Sequence, residues 1–575
     1  MDQRVWHAGY DPGVPPSVAF QATTLPEFLR ESTSRFPNRT AIRFMNATLT
    51  YAELDEQVDQ FANALRDLGV VKGDRVAIQL PNLPQTVIAF YGTLRAGAVA
   101  VMTNPMYTPR ELIHQWNDAE CRVAVTADFL FADRIQAIRD QLPVREWVIA
   151  SIPEYLRFPL NLLAPFKLRK AHLIADVPNE PCIRRFRAML AASSARPATG
   201  AAPEPTTGSR DAVTMEDLAA LQYTGGTTGV SKGAMLTHAN LSHQVQQLSA
   251  WLPNLEPGNE VFLGALPFFH VFGLSVAMNL AVSIGAEMVL LPNPRELRRM
   301  IDSINKYRVS VFPIVPAMVN GINAHPHVHK LNVGSLKICV SGSAPLAEDT
   351  LRRFEELTGG TLVEGYGLTE ASPVTHVNPT VGPRRIGHIG LPLPDTDCRI
   401  VSANDNETDV PNGEPGELLI RGPQVMRGYW NRPDATATTI RDGWLHTGDL
   451  ATMDEHGYFR IVGRQKEMIV VGGYNVYPDE VDGVLMDHPS VLECATIGVP
   501  DARVGESVKS FVVLHPGKKA TGAELEAFCR KELAAYKVPR EIEFRTDLPK
   551  SSVLKILRRE LAAEELRKRE AAGRA

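Results

Sequence analysis

The sequence predicts an α/β protein: a large N-terminal domain of α/β sheets, a strand-rich β subdomain after it, and a small α+β C-terminal domain. Three observations carry this. Strand and helix patterns alternate from residue 25 to residue 150, as in a parallel sheet with both faces covered. From 361 to 465 the chain turns strand-rich, with turn signals at Asn404-Asp405-Asn406, Pro411-Asn412-Gly413 and Pro415-Gly416. At 575 residues the chain is too long for one core, and its pattern changes again at Lys466. The expected division is 1–465, carrying an insertion at 151–210, and 466–575.

Element by element, Leu25–Arg35 reads as a short helix, and Thr40–Phe44 with Ala47–Tyr51 as a hairpin. Tyr51–Leu68 has apolar residues at helical spacing (Leu54, Val58, Phe61, Leu65). A strand at Asp74–Leu80, a helix at Leu83–Ala96, a strand at Ala98–Met102, a helix from Pro109 and a strand at Arg122–Thr126 follow. In the last domain, helices are expected near Val481–Met486, at Gly522–Glu532 and, densely charged, at Ile556–Glu570.

Composition excludes several classes. The formal net charge is −5 and no basic, aromatic-studded patch occurs, which argues against nucleic acid as a partner. Six scattered cysteines without metal spacing read as reduced thiols in a cytoplasmic protein. The N-terminus lacks the apolar core of a secretory signal. Phe262–Ala286 contains no Asp, Glu, Lys or Arg, but Pro267, His270, Gly264, Gly273 and Gly285 interrupt it. It reads as a strand, a turn and a buried helix rather than a membrane span.

The insertion differs from its surroundings. YLRFPLNLLAPFKLRKAHLI mixes leucines and aromatics with Arg157, Lys167, Arg169 and Lys170, a pattern of a helical excursion or of an amphipathic segment on an anionic membrane, centred on 155–172. ASSARPATGAAPEPTTGSR after it reads as a mobile linker.

The densest chemistry lies in LQYTGGTTGVSKGAML, Leu221–Leu236. Glycine backbone approaches a ligand closely, and hydroxyls and a lysine add donors and charge, so Thr224, Gly225, Gly226, Thr227, Thr228, Gly229 and Lys232 suit a polyphosphate. The order is not that of a Walker loop, because Lys232 precedes a strand-like stretch rather than opening a helix.

Four further segments narrow the reading: VSGSAPL (340–346), LVEGYGLTEASP (362–373), DGWLHTGDLATMDEHGYFRIVGRQKEMIVVGGYNVYPDEV (442–481) and LPKSSVLKILRREL (548–561). With YTGGTTGVSKG, in this order, they make the chain resemble the adenylate-forming superfamily of acyl-CoA ligases. Within it, GYNVYP, PMYTPREL and EGYGLTEASP resemble the bacterial long-chain fatty acid–CoA ligases most closely, over nearly the whole chain.

The resemblance implies that a fatty acid is activated with ATP to an acyl adenylate, and that coenzyme A then takes the acyl group. Thr224 to Gly229 and Lys232 would hold the β- and γ-phosphates, Thr369 would touch the α-phosphate, and Glu370 with Thr227 would position Mg²⁺. Tyr366 would stack on adenine, with Gly342, Ser343, Ala344, Gly365 and Gly367 letting backbone come close, while Asp449 and Arg464 would bind ribose. Lys555 would bridge the attacking carboxylate and the α-phosphate. Lys466 would be the hinge of a mobile terminal domain that later brings Gly472, Gly473 and Tyr474 to the thioester step. His270 would gate an acyl tunnel walled by 262–286.

One residue departs from the family pattern: Leu554 stands where a glycine commonly precedes the lysine. Rival readings are a medium-chain or aryl acid ligase, acyl-AMP transfer to a carrier protein in trans, and an inactive lipid- or nucleotide-binding regulator. Retention of Lys232, Glu370, Asp449, Arg464 and Lys555 argues against the last. A homodimer and a peripheral place on the inner membrane face are left open.

Overall fold

A computed structural model describes residues 4–194, 212–224, 231–326, 328, 334–403, 405–472, 474–501, 503–551 and 554–571. Most of the linker, and Gly225, Gly226, Thr227, Thr228, Gly229 and Gly473, lie outside the described residues.

Helix starts are set locally by capping. In Thr50-Tyr-Ala-Glu53 the threonine hydroxyl accepts from the Glu53 N–H and the Glu53 carboxylate accepts from the Thr50 N–H, so the helix Tyr51–Asp67 begins at Tyr51. Thr108 with Glu111 starts Pro109–Asp118 in the same way, and Thr521 with Glu524 starts Gly522–Glu532. The expected helices Leu25–Arg35 and Pro84–Arg95 and the strands Arg75–Gln79, Val99–Met102 and Cys121–Ala127 form within a residue or so of expectation. The charged final helix spans Arg558–Ala571.

Among the described residues the strands assemble into four sheets. A seven-stranded sheet runs in the order Ile183–Arg185, Glu146–Ala150, Cys121–Ala127, Arg75–Gln79, Val99–Met102, Leu218–Thr224, Lys232–Thr237. Its pairings are parallel except the last, an antiparallel hairpin. A nine-stranded sheet has a parallel centre from Thr40–Phe44 to Thr361–Gly367 and antiparallel edges. Alternate residues of one strand enter different cores: Val76 and Ile78 join one cluster and Ala77 another, as a sheet covered on both faces requires. An antiparallel sheet centred on Gly416–Arg421 and Trp444–Met453 forms the β subdomain.

That sheet ends at Arg464, and the next begins at Ile469, with the short turn Gln465–Glu467 between them. The terminal sheet pairs Val491–Asp501 with Gly505–Leu514 and has its own cores on both faces. The molecule is thus a large N-terminal α/β domain and a smaller C-terminal one, as expected.

The uncharged stretch resolves as the strand Val261–Gly264, a turn and a buried helix whose Gly273–Asn279 portion is π-helical. No helix among the described residues is long and apolar enough to cross a membrane. All six cysteines are free thiols. In the insertion, the helix Leu160–Lys170 buries none of its residues, although Ala164 and Leu168 rest against the main core.

Candidate active site

The antiparallel hairpin of Leu218–Thr224 and Lys232–Thr237 pairs Thr224 with Lys232, so these two residues flank the mouth of the glycine-threonine loop. Lys232 opens a strand, not a helix. Gly233 is tight because a Cβ there would press on the Tyr223 ring. Tyr223 donates to Asp118 Oδ2 at 2.7 Å, Arg432 holds Asp118 Oδ1 at 2.7 Å, and His114 Nε2 lies 3.0 Å from Ser231 O. The hairpin is therefore held at two points, Tyr223 through Asp118 and Ser231 through His114.

Across the cleft, the strand Thr361–Gly367 ends in the motif turn. Tyr366 donates to Asp449 Oδ2 at 2.5 Å, and Arg464 Nε meets Asp449 Oδ1 at 2.9 Å. Asp449 and Arg464 face each other in the register of neighbouring strands, which brings the two motifs together. The ring of the buried His376 meets Tyr366 edge-on at 5.9 Å and backs it. The structure adds a reason for the surrounding glycines: a Cβ on Gly367 would collide with the Pro373 carbonyl, and one on Gly342 would crowd Phe272. Gly365 is packed against His376 O in the same manner, Ser343 takes a φ of +74°, and Ala344 is exposed.

Thr369 and Glu370 sit in a short turn, Thr369–Ala371. Glu370 Oε1 accepts from the Tyr429 hydroxyl at 2.6 Å, while the Lys232 ammonium stands 5.0 Å from the Tyr429 ring centre. Among the described residues there is no cluster of three metal-ligating side chains. A single hard carboxylate fits magnesium, which takes most of its ligands from phosphates and water.

His270 is carried by a turn held by Asn82. The Asn82 amide donates to Gly264 O at 2.9 Å and Leu266 O at 2.8 Å, and its oxygen accepts from Phe268 N at 2.8 Å. Gly273 then lets the helix pack on the Leu266 and Pro267 carbonyls, where a Cβ would collide. The crevice bounded by Pro267, His270, Phe272, Val315 and Ser343 is too narrow for a water molecule. Burial, reinforced by the nearby Lys555 charge, lowers the His270 pKa to about 4, so the imidazole is neutral at pH 7.

Lys555 reaches the same place from the small domain. Lys555 is exposed at the surface, yet the protein around it partly desolvates its ammonium. That desolvation, with repulsion from Arg464, lowers its pKa against the pull of Asp449, Asp479 and Glu467. The loop is closed by Ser551 N to Lys555 O at 2.8 Å and Leu554 N to Ser551 O at 3.0 Å. Leu554 has a φ of +61°, the left-handed conformation that explains the usual glycine, and its side chain packs on the large domain's core. Three residues on, Arg558 pairs with Glu467, Asp479 and Asp482, tying the loop to the turn that contains Lys466. Gly472, at φ +58°, and Tyr474 belong to a hairpin of the small domain; Tyr474 stacks on Tyr536 and is 61% exposed.

Arg464 pairs with Asp449, and the charge of Lys555 on the small domain acts on the same carboxylate. A family model described as AMP-binding enzyme matches residues 29–430, and one described as AMP-binding enzyme C-terminal domain matches 480–555. The chain belongs to the AMP-binding enzymes. The long-chain-fatty-acid–CoA ligase of Bacillus subtilis (strain 168) is 44% identical to the enzyme, covering 98% of this chain and 99% of its own. The ligase of the same name from Escherichia coli O6:H1 is 40% identical, covering 98% of each. Among solved structures, the anthranilate CoA ligase AuaEII in complex with anthranoyl-AMP superposes with a TM-score of 0.83 at 27% identity, covering 96% of this chain and 98% of that one. ATP-bound MatB from Rhodopseudomonas palustris gives 0.77 at 30% identity, with 95% and 99% covered.

Sequence reasoning missed Tyr429, Asn82, His376 and Arg558. Each acts on a motif residue rather than belonging to the glycine-rich or acidic patterns that mark a ligand site. The one available signal was GYWNRP (428–433), an aromatic pair followed by a turn, which lies outside every segment singled out above.

Proposed function

We propose that the enzyme activates a long-chain fatty acid with ATP and transfers it to coenzyme A. A fatty-acid carboxylate oxygen attacks the α-phosphorus, a new P–O bond forms, and pyrophosphate leaves. The coenzyme A thiol then attacks the acyl carbon, a C–S bond forms, and AMP leaves. The feature that supports the first step is the charge of Lys555, which is felt electrostatically by His270 and in turn feels Asp449 and Arg464. A cation there offsets charge as two anions meet.

In this reading the loop Thr224–Gly229 and Lys232 hold the leaving pyrophosphate, and Thr369 meets the α-phosphate. Tyr366, Gly342, Ser343, Ala344, Gly365 and Gly367 enclose adenine, while Asp449 and Arg464 bind ribose. Glu370 and Thr227 would hold Mg²⁺, which neutralises phosphate charge when bound. Neutral His270 stands where the carboxylate enters and offers a hydrogen bond without trapping it as an ion pair. Lys466 is the hinge about which the small domain turns to bring Gly472, Gly473 and Tyr474 in for thioester formation, with the domains dividing at 465/466.

Chain length rests on the near-full-length likeness to ligases named for long-chain fatty acids. The aryl alternative is supported by a feruloyl-CoA synthase of an Amycolatopsis species, 36% identical over 91% of this chain. Acid-dependent pyrophosphate release with palmitate, octanoate and 4-coumarate separates the readings. Palmitate is expected to be fastest by kcat/KM, and a preference for 4-coumarate refutes the long-chain assignment. Product formation with coenzyme A against a carrier protein decides the acceptor.

A second reading concerns 155–172. Phe158, Leu162, Leu163 and Phe166 expose 76%, 60%, 61% and 80% of their surface, beside exposed Lys167, Arg169 and Lys170. We infer that this face lies on an anionic bilayer, apolar side chains inserted and cations on headgroups. Phosphatidylserine vesicles should pellet the wild type and release a Phe158→Ser/Phe166→Ser variant; equal pelleting of both refutes the docking.

A further inference from the structure

Tyr429 joins two parts of the cleft that the chain delivers separately. The segment 426–430 adds to the strand Lys232–Thr237: Met235 N donates to Gly428 O at 2.8 Å, Arg427 N to Met235 O at 3.0 Å, and Trp430 N to Gly233 O at 2.8 Å. Its other end meets the acidic turn, where Met426 N donates to Glu370 O at 2.7 Å. A single ribbon thus sets the distance between the phosphate hairpin and Glu370 at the level of backbone.

The Tyr429 side chain repeats that link. Its hydroxyl donates to Glu370 Oε1 at 2.6 Å, and its ring carries the Lys232 ammonium at 5.0 Å. The residue is only 7% exposed. An ordinary phenol keeps its proton at neutral pH, so the hydroxyl serves as the donor to the carboxylate. A phenol has one proton to give. It fixes one carboxylate oxygen and the plane of the group, leaving the second oxygen to face a cation. The aromatic face meanwhile attracts the lysine without neutralising it, which a carboxylate in its place would do.

We propose that Tyr429 is a positioning residue that orients Glu370 toward the metal and Lys232 toward the phosphates. The proposal rests on the reading of Glu370 and Lys232 given above. Two substitutions separate the two contacts. Tyr429→Phe keeps the ring under Lys232 and removes the donor; Tyr429→Leu removes both.

The test is binding, not turnover: Mn²⁺ affinity by electron paramagnetic resonance in the presence of α,β-methylene-ATP, and affinity for that nucleotide without metal by calorimetry. Tyr429→Phe should weaken Mn²⁺ about 10-fold, the range for lost outer contacts to a ligating carboxylate, and leave metal-free nucleotide affinity within about 3-fold. Tyr429→Leu should weaken both. Unchanged Mn²⁺ affinity in Tyr429→Phe overturns the proposal, and equal nucleotide affinity in the two variants overturns its lysine half. Glu370→Gln is the control. If Glu370→Gln weakens Mn²⁺ and Tyr429→Phe does not, Tyr429 alone is misassigned; if Glu370→Gln has no effect either, the reading of Glu370 fails with it. Should Tyr429→Leu not fold, the near-isosteric Tyr429→Phe still decides the metal half.

Discussion

On the large-domain side of the cleft, Lys232, Tyr429 and Glu370 are joined through one backbone ribbon and short side-chain contacts. On the small-domain side, Lys555 stands on a tight loop held by Arg558 and by a leucine in a left-handed conformation. The first arrangement is tied by backbone hydrogen bonds that run from the strand Lys232–Thr237 through 426–430 to Glu370. In the proposed mechanism the second is delivered across a domain boundary, and its loop is held by the Arg558 ion pairs and by Leu554 packed against the large domain. Groups that grip a leaving group can be fixed permanently, whereas a group needed in one step only is better mounted on a part that can withdraw.

The contrast breaks most sharply at Lys555. Lys555→Ala should reduce adenylate formation by about 10³-fold, the scale for losing a charge that stabilises a transition state, and spare thioester formation from supplied acyl-AMP. Separate half-reaction assays read this, and equal losses in both would place the lysine elsewhere in the mechanism.

Next comes its support. Arg558→Ala leaves Glu467, Asp479 and Asp482 together without their cation, and Asp482 is already raised in pKa by burial. Removing one partner of such a cluster costs about 3 kcal/mol. Hydrogen exchange should show the loss in the small domain and leave the seven-stranded sheet protected; uniform loss across both domains would contradict their separate cores.

A smaller effect is expected at Leu554. Leu554→Gly relieves about 1 kcal/mol of left-handed strain but gives up the contact with the large domain. Adenylation should slow by about 5-fold, equivalent to roughly 1 kcal/mol of lost docking, with thioester formation not slowed. A faster adenylation would mean that the leucine hinders closure rather than anchoring it.

The smallest effect is electrostatic. His270 has its pKa lowered to about 4, from an ordinary 6.5, so its charged form is populated only as the pH falls through about 4. A histidine depressed on folding favours the folded state above its unfolded pKa. That stability is lost as the pH drops from about 6.5 toward 4, because the unfolded chain takes the proton first. Lys555→Ala should raise the His270 pKa while leaving it below 6.5, since burial is the larger cause. Histidine ring NMR titration measures this, and no change on removing the lysine would deny their proximity.

How much of this was legible in the residues depends on the range of each interaction. Capping pairs such as Thr50 with Glu53, the apolar spacing of Leu54, Val58, Phe61 and Leu65, and the order of lysine and strand at Lys232 are local, and local patterns can be read directly. The motif residues that touch ligands are legible for the same reason, since glycine, threonine and lysine in succession have few other uses. Tyr429 lies in a stretch of ordinary composition, and Arg558, though inside the 548–561 segment, has no pattern of its own; each gains its role from partners far along the chain, Glu370 and Lys232 in one case and Glu467, Asp479 and Asp482 in the other.

By itself, then, the sequence determined the α/β class, the helix starts, the division into a large and a small domain, and the chemistry each motif has available. Tertiary structure alone decided that the charge of Lys555 is felt by His270 and Arg464, that the insertion leaves Phe158 and Phe166 in solvent, and that Leu554 is strained yet docked. The physical reason is that capping and periodicity act within a few residues. Desolvation, ion pairing and packing instead depend on which distant segments the folded sheets bring into contact.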